Sequence, residues 1–374
     1  MSRYMQYGID LGATNSRVAR HEGMDVRIIQ NSDHMSVTPC AIRVLRAGQV
    51  IVGHRAYRAL ADDPENVATL FKGRMGGKDR ITFPASGRTM SGEELSAEVL
   101  KSLRADVHRQ TGDDMTAAVI TVPLAADVLF CEATARAAQL AGMTGCVLLQ
   151  DPIAAAIAYG VTSAAGNRRW LVFDLGGGWL DVAVVSSGDG GPNVIAHRHD
   201  QVGGRSIDRA LAETLFLPLL KDGFALPQPG SPDYRRVLRR LLLKAEEAKI
   251  ALSTVPSTVV TLSGLGRDRN GKSIEAELEV TQSQLVELME PLLDRCLVTV
   301  DQALDAARIS AADIERILLV GGTTLMPVIR GILSNHLGAK IEYSLDPMTV
   351  VARGAAVYAA TLEQPASISV RVDG

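Results

Sequence analysis

Residues 7–20 read YGIDLGATNSRVAR, and residues 171–185 read LVFDLGGGWLDVAVV. Each stretch is an apolar run, then Asp-Leu-Gly, then a turn of small residues, then a second run of strand character. Glycine at the turn between two such runs signals a β-hairpin. Two copies about half a chain apart predict a duplicated architecture. Each copy is followed later by an apolar, β-branched strand that runs into a helix. The first is AAVITVPLAADVLFCEATARAAQLAG at 117–142 and the second is RILLVGGTTLMPVIRGILSNHLG at 316–338. Strands of this kind belong in a buried sheet. The expected fold class is α/β, with two lobes, a cleft between them and one hairpin turn from each lobe facing the cleft.

The rest of the chain fits around that frame. Lobe I is expected at 1–163 plus 345–374, with an insert near 40–110. Lobe II is expected at 164–344, with an insert near 205–283. Ser91-x-x-Glu94 opens a helix with a capping box. RVLRRLLLKAEEAKIALS at 236–253 predicts a long amphipathic helix, and 256–280 alternates like strands. The last helix, 348–362, is expected to return to the start of the chain. One motif misleads: GRDRNGKS at 266–273 matches the spelling of a P-loop. A P-loop needs a strand before it and a helix after it, so that helix-end amides meet phosphate. Here both flanks alternate with period two, and Asn270-Gly271 reads as a two-residue hairpin turn.

Bulk properties exclude several classes. The chain has 374 residues, 47% of them hydrophobic, enough for two cores. A net charge of −3 with interspersed signs argues against nucleic-acid or anionic-membrane partners. The four cysteines lack metal or redox spacing and read as free thiols of a reducing cytoplasm. No apolar run approaches a membrane span, and the N-terminus lacks a signal-peptide pattern.

The chemistry sits in the two turns. Glycine-rich turns let backbone N–H groups approach phosphate oxygens with no Cβ in the way. Gly12, Ala13 and Thr14 would do this from one lobe, and Gly176, Gly177 and Gly178 from the other. Asp10 and Asp174 end the strands before these turns. A carboxylate beside a polyphosphate makes sense when a hydrated Mg²⁺ lies between them. One Asp-x-Gly turn is usually only a tight turn; two at matched topology point to a ligand.

These stretches resemble, in order along nearly the whole chain, the nucleotide-binding domain of the DnaK-type heat-shock chaperones, the heat shock protein 70 family. The resemblance runs through DLGATNS (10–16), VGHRAYRALADDPENVATLFKGRMGG (52–77), VPLAADVLFCEATARAAQLAGM (122–143) and DPIAAAIAYG (151–160). It continues through FDLGGGWLDV (173–182), VGGRSID (202–208), KAEEAKIALS (244–253), LLVGGTTLMP (318–327) and DPMTVVARGAAVYAA (346–360). It implies a two-lobed, actin-like (ribonuclease H-like) ATPase fold, slow ATP hydrolysis to ADP and phosphate, and lobe rotation with nucleotide. It further implies roles for single residues. Asp10, Asp174 and Asp181 hold Mg²⁺, mostly through water, and Asp181 helps hold K⁺. Lys72 positions the attacking water or takes its proton, and Asp151 partners the metal waters. Asn15, Gly203, Gly204, Gly321, Gly322 and Thr323 line the nucleotide. Glu246, Lys249 and Ser253, at i, i+3 and i+7 on one helix face, hold ribose and adenine.

The chain also departs from the family pattern. Ala13 and Trp179 stand where threonine is usual, and Asp151 where glutamate is usual. Ile250 and Leu325 replace the two arginines that sandwich adenine, and Met348 replaces a late aspartate. Cys131 and Val147 replace arginines of the relay and of the docking point for J-domain partners. After the last helix the chain reads PASISVRVDG, with no peptide-binding β-sandwich within these residues. The expected protein is a monomeric ATPase module whose partner reads lobe angle. Its alternative, kept open by Ala13, Asp151 and Trp179, is a nucleotide sensor or scaffold. A metabolite kinase of the same superfamily fits Lys72 and the inserts less well.

Overall fold

A computed structural model describes residues 5–161, 168–188, 190–363 and 372–373. Two sheets carry the frame, and they share one strand order. The seven-stranded sheet runs Val372–Asp373, Gly145–Gln150, Ala117–Val122, Tyr7–Leu11, Asn15–Glu22, Asp25–Ile28, with Thr38–Pro39 paired to Asn15–Glu22. The five-stranded sheet runs Gly191–Asp200, Leu180–Gly188, Arg169–Leu175, Arg316–Val320, Lys340–Glu342. In each, the first hairpin strand pairs antiparallel with the second and parallel with the later strand. The duplication expected from the paired Asp-Leu-Gly phrases is therefore a duplication of topology. The apolar strands explain their own burial: all six residues of Ala117–Val122 are buried.

The inserts follow the local signals. The helix Gly92–Thr111 is capped by Ser91, whose Oγ accepts from Glu94 N at 3.3 Å while Glu94 Oε2 accepts from Ser91 N at 2.7 Å. The long helix of the second insert spans Pro232–Leu252, one turn earlier than its apolar periodicity suggests. Ser231 caps it by accepting from Tyr234 N at 3.1 Å, and proline at the first helical position sacrifices no hydrogen bond. Strands Ser257–Leu262 and Ala276–Thr281 pair antiparallel, so GRDRNGKS lies in a hairpin connection with no helix after it. The expected two-residue turn is corrected, however. The ladder ends at Leu262 and Ala276, and Asn270-Gly271 tips a longer loop with one isolated bridge, Arg267 to Ser273. Asp268 organises that loop instead, its carboxylate accepting from the backbone of Ala225, Asn270 and Lys272.

Two helices join the sheets. The terminal helix, Val350–Ala359, lies against Tyr7–Leu11 so closely that a Cβ on Gly8 would sit 2.1 Å from Ala356 N. It also crosses the helix Asp151–Ala158. One apolar cluster draws on both sheets and both helices, with Val119 and Leu149 from one side and Val172 and Leu318 from the other. The expected lobe boundary at 163/164 lies outside the described residues, as does most of PASISVRVDG. All four cysteines are free and buried, and no helix among the described residues is long and apolar enough to cross a membrane.

Candidate functional site

The two hairpin turns meet. A Cβ on Gly177 would lie 2.6 Å from Thr14 Cγ2, so only glycine lets the second turn come this close to the first. The first turn is tight, because a Cβ on Gly12 would strike Asn15 O at 2.3 Å. Cys40 braces it from behind, donating N–H to Thr14 O at 2.8 Å and its thiol to Gly12 O at 3.2 Å. Ala13 is half-buried in the same turn, and Asn15 Nδ2 lies 3.5 Å from Thr14 Oγ1. In the second turn Gly176 N donates to Trp179 O at 3.0 Å. Gly203 and Gly204 stack beneath it, with Gly204 N donating to Gly176 O at 3.0 Å and Arg205 N to Gly177 O at 2.8 Å. Thr323 Oγ1 donates to Gly176 O at 3.1 Å. Gly321 adopts φ +87°, where a side chain would be strained and would meet Leu175 O. Gly178 is half-buried beside the cleft. Hence Gly12, Ala13, Thr14, Asn15, Gly176, Gly177, Gly178, Gly203, Gly204, Gly321 and Thr323 converge on one place.

Four carboxylates line that place. Hairpin register sets Asp10 opposite Arg17 and Asp174 opposite Asp181. Asp151 opens the helix at the floor of the cleft. A narrow crevice runs beside three of them, Asp151, Asp174 and Asp181, walled also by Pro123, His197 and Val320. Burial is the chief cause that pushes Asp174 well above the ordinary carboxylate range, and the charges of Asp151, Asp181 and Asp10 add to it. Burial lifts Asp151 to about 6, with Lys72 opposing. Burial also raises Asp181, with His199 and Lys72 opposing. Asp151 Oδ1 and the nearby Thr121 Oγ1 are sealed from solvent without a hydrogen-bond partner. Asp10 is paired with Arg17 at 3.0 Å, but half-buried, mutually repelling carboxylates in such number still call for a cation. Lys72 is not a solvated surface lysine: it is buried, with Nζ 5.8 Å from the centre of the Phe130 ring.

The expected base-holding face is more engaged than its helical spacing suggests. Lys249 is buried and turns inward, donating to Asp208 Oδ1 at 2.7 Å and Gly204 O at 3.2 Å. Glu246 accepts from Tyr57 of the first insert at 2.5 Å, across the cleft. Ser253 Oγ donates to Lys249 O at 3.1 Å. Ile250 is 61% exposed and Leu325 37% exposed, while half-buried Met348 packs against Gly322. The open wall beside the turns is thus apolar. Trp179 is 43% exposed and meets His199 edge-on at 6.2 Å. Cys131 and Val147 are both buried.

Three participants escaped the sequence reading. Arg17 sits in the strand Asn15–Glu22, where a charged residue ordinarily faces solvent, yet Ser16, Arg17, Val18 and Ala19 are all buried. Matching the two hairpins position by position would have flagged it, since it occupies the place of Asp181. Asp208 lies about one helical turn beyond the glycine pair, and only its burial beside Lys249 marks it. Tyr57 carries no local signal, because its partner is 189 positions away.

Facing hairpins on duplicated sheets, with carboxylates between them, define a two-lobed protein of the actin-like ATPase fold. The family model described as Hsp70 protein matches residues 6–370, and the chain belongs to that family. It is 35% identical over 362 residues to the chaperone protein DnaK of Elusimicrobium minutum, covering 95% of this chain and 57% of that protein. It is 34% identical to the DnaK of Cenarchaeum symbiosum, covering 94% and 53%, and 33% identical to that of Nitrosopumilus maritimus, covering 94% and 55%. The chain spans little more than half the length of these curated relatives.

Proposed function

We propose that this chain is an ATP-binding, slowly ATP-hydrolysing module that changes lobe angle with its nucleotide. The observation that carries the reading is the contact of two glycine turns above a buried, under-neutralised carboxylate cluster. The turns offer backbone N–H groups to phosphates, and the carboxylates want positive charge. The residue set fits Mg²⁺: Asp10, Asp174 and Asp181 would hold it through water, with Asp151 Oδ1 as a further acceptor. When bound, the ion supplies charge neutralisation at the phosphates. Among the described residues no three His, Cys, Asp or Glu side chains are disposed to grip a metal directly, and a largely hydrated ion is compatible with that.

The chain's own residues then divide the work. The turns orient the triphosphate. Lys72, a buried cation, holds the attacking water by its oxygen for in-line displacement of ADP. Glu246, Lys249 and Ser253 flank the ribose and base, and Ile250, Leu325 and Met348 make an apolar base slot. Such a slot stacks a purine but lacks cation–π contacts worth about 0.5–2 kcal/mol each. Lobe I is assigned 1–163 plus 345–374 and lobe II 164–344. The protein is proposed to work as a cytoplasmic monomer, with K⁺ a possible second cation near Asp181. A protein partner would read lobe angle, because Cys131 and Val147 offer no charge to a J-domain.

Thermal unfolding tests the reading. A nucleotide that binds only the folded chain stabilises it by about 2.7 kcal/mol at 100 times its dissociation constant. Millimolar Mg-ADP or Mg-ATP should raise the melting temperature. An unchanged melting temperature with both sinks the proposal. Binding without phosphate release would instead favour the nucleotide sensor.

A further inference from the structure

Arg17 has no role in the reading above, yet it is among the most unusual residues of the site. It lies on the strand that leaves the first phosphate turn, directly opposite Asp10. Its side chain is only 8% exposed, and its Nη1 donates to Asp10 Oδ2 at 3.0 Å. Its Nε is sealed from solvent and has no hydrogen-bond partner. A guanidinium carries five donors in a rigid fork and keeps its charge at any working pH. Leaving a buried charged donor unpaired is costly. Among the described residues its Nη2 makes no hydrogen bond either, and the adjacent group that the site is built to receive is an anion.

We propose that Arg17 is a phosphate-binding residue that donates to an oxygen of the bound nucleotide while holding Asp10. This inference rests on the nucleotide reading. A merely structural Arg17 would neutralise Asp10 and make no contact with the ligand. A phosphate-binding Arg17 makes nucleotide affinity depend on its charge and fork.

Calorimetric titration of Mg-ADP and of adenosine into the full chain separates these cases. Arg17→Gln should bind Mg-ADP about 10–100-fold more weakly than the unaltered chain, as expected for one lost charge-assisted hydrogen bond, while adenosine, which carries no phosphate, binds both equally. Arg17→Lys, which keeps the charge but not the fork, should fall between. Equal Mg-ADP affinity of Arg17→Gln and the unaltered chain overturns the inference alone, and so do equal losses for Mg-ADP and adenosine. If Arg17→Gln does not fold, Arg17→Lys decides, and an unchanged Mg-ADP affinity for that variant overturns the inference. If the unaltered chain binds no Mg-ADP, the nucleotide reading falls and takes this inference with it.

Discussion

The two hairpins that face each other across the cleft share a register and differ in charge. Asp10 stands opposite Arg17 in the first, and Asp174 stands opposite Asp181 in the second. Opposite charges across a strand pair stabilise it and like charges destabilise it. The first hairpin therefore carries its own counter-charge, whereas the second holds repulsion that only a proton or an incoming cation relieves. Burial compounds the difference, since Asp174 is pushed well above the ordinary carboxylate range. The lesson is that a duplicated frame can keep its backbone and divide its chemistry, one half anchoring charge and the other awaiting it.

The sharpest way to break this comparison is to neutralise one carboxylate in each hairpin without nucleotide or divalent ion. Asp10→Asn strands a buried guanidinium, and breaking half of a buried pair costs about 3–5 kcal/mol. The lower figure is expected here, because Asp10 keeps 16% exposure. Asp174→Asn should act in the opposite direction and raise stability. Denaturant unfolding measures both, and shifts of the same sign would abolish the contrast. Next in size is Lys72→Ala, which removes the buried cation beside the carboxylates. Phosphate release should fall by about 10²–10³, the usual loss for one preorganised charge-stabilising group, while Mg-ADP affinity stays within a few-fold. Single-turnover rates beside calorimetry separate the two quantities, and a wild-type rate returns Lys72 to a structural part.

A third prediction concerns protons as substitutes for the missing cation. The value of about 6 for folded Asp151 lies above its ordinary 3.8. Between these values the folded chain holds the extra proton, so this group's contribution falls as pH rises from about 4 to about 6. The difference corresponds to at most about 3 kcal/mol, less because the residue is only half-buried as a whole. Asp151→Asn should thus stabilise the ligand-free chain at pH 7.5 and change little near pH 4. Unfolding free energies at the two pH values give the answer, and a pH-independent difference would mean that the carboxylate is adequately solvated. The smallest effect is expected at the base. With Ile250, Leu325 and Met348 around it, ATP should be preferred to GTP by less than about 100-fold, or 2.7 kcal/mol. A larger calorimetric preference would show that groups other than these read the purine.

Much of this could be read before any coordinates, for a physical reason. Asp-Leu-Gly hairpins announce themselves locally, because turn glycines and strand alternation are properties of neighbouring residues. The rejection of GRDRNGKS succeeded on the same ground, since its flanks alternate. Local rules failed where a longer loop could be mistaken for a short one, as at Asn270-Gly271. They failed again where meaning came from pairing. Arg17 reads as an ordinary charged strand residue, and only the opposite strand makes it a site residue. Lys249 reads as one member of a helix stripe, and its spacing gives no sign that it pairs with Asp208. Tyr57 and Glu246 are 189 positions apart and meet because the two inserts touch across the cleft.

The crossing of the two joining helices has a mechanical meaning. A Cβ on Gly354 would sit 1.7 Å from Ala154 O, so the helices touch backbone to backbone at that point. Contact this close leaves no side chain to deform and works as a bearing rather than a cushion. Asp151 begins the same helix three residues from the bearing, about 4.5 Å along the axis at 1.5 Å per residue. A tilt of about 20° around that point would carry the start of the helix roughly 1.5 Å. If the lobes swing as proposed, that arm is a short crank: a coarse swing would become a fine stroke at one carboxylate, and glycine at position 354 is what lets the two backbones meet there.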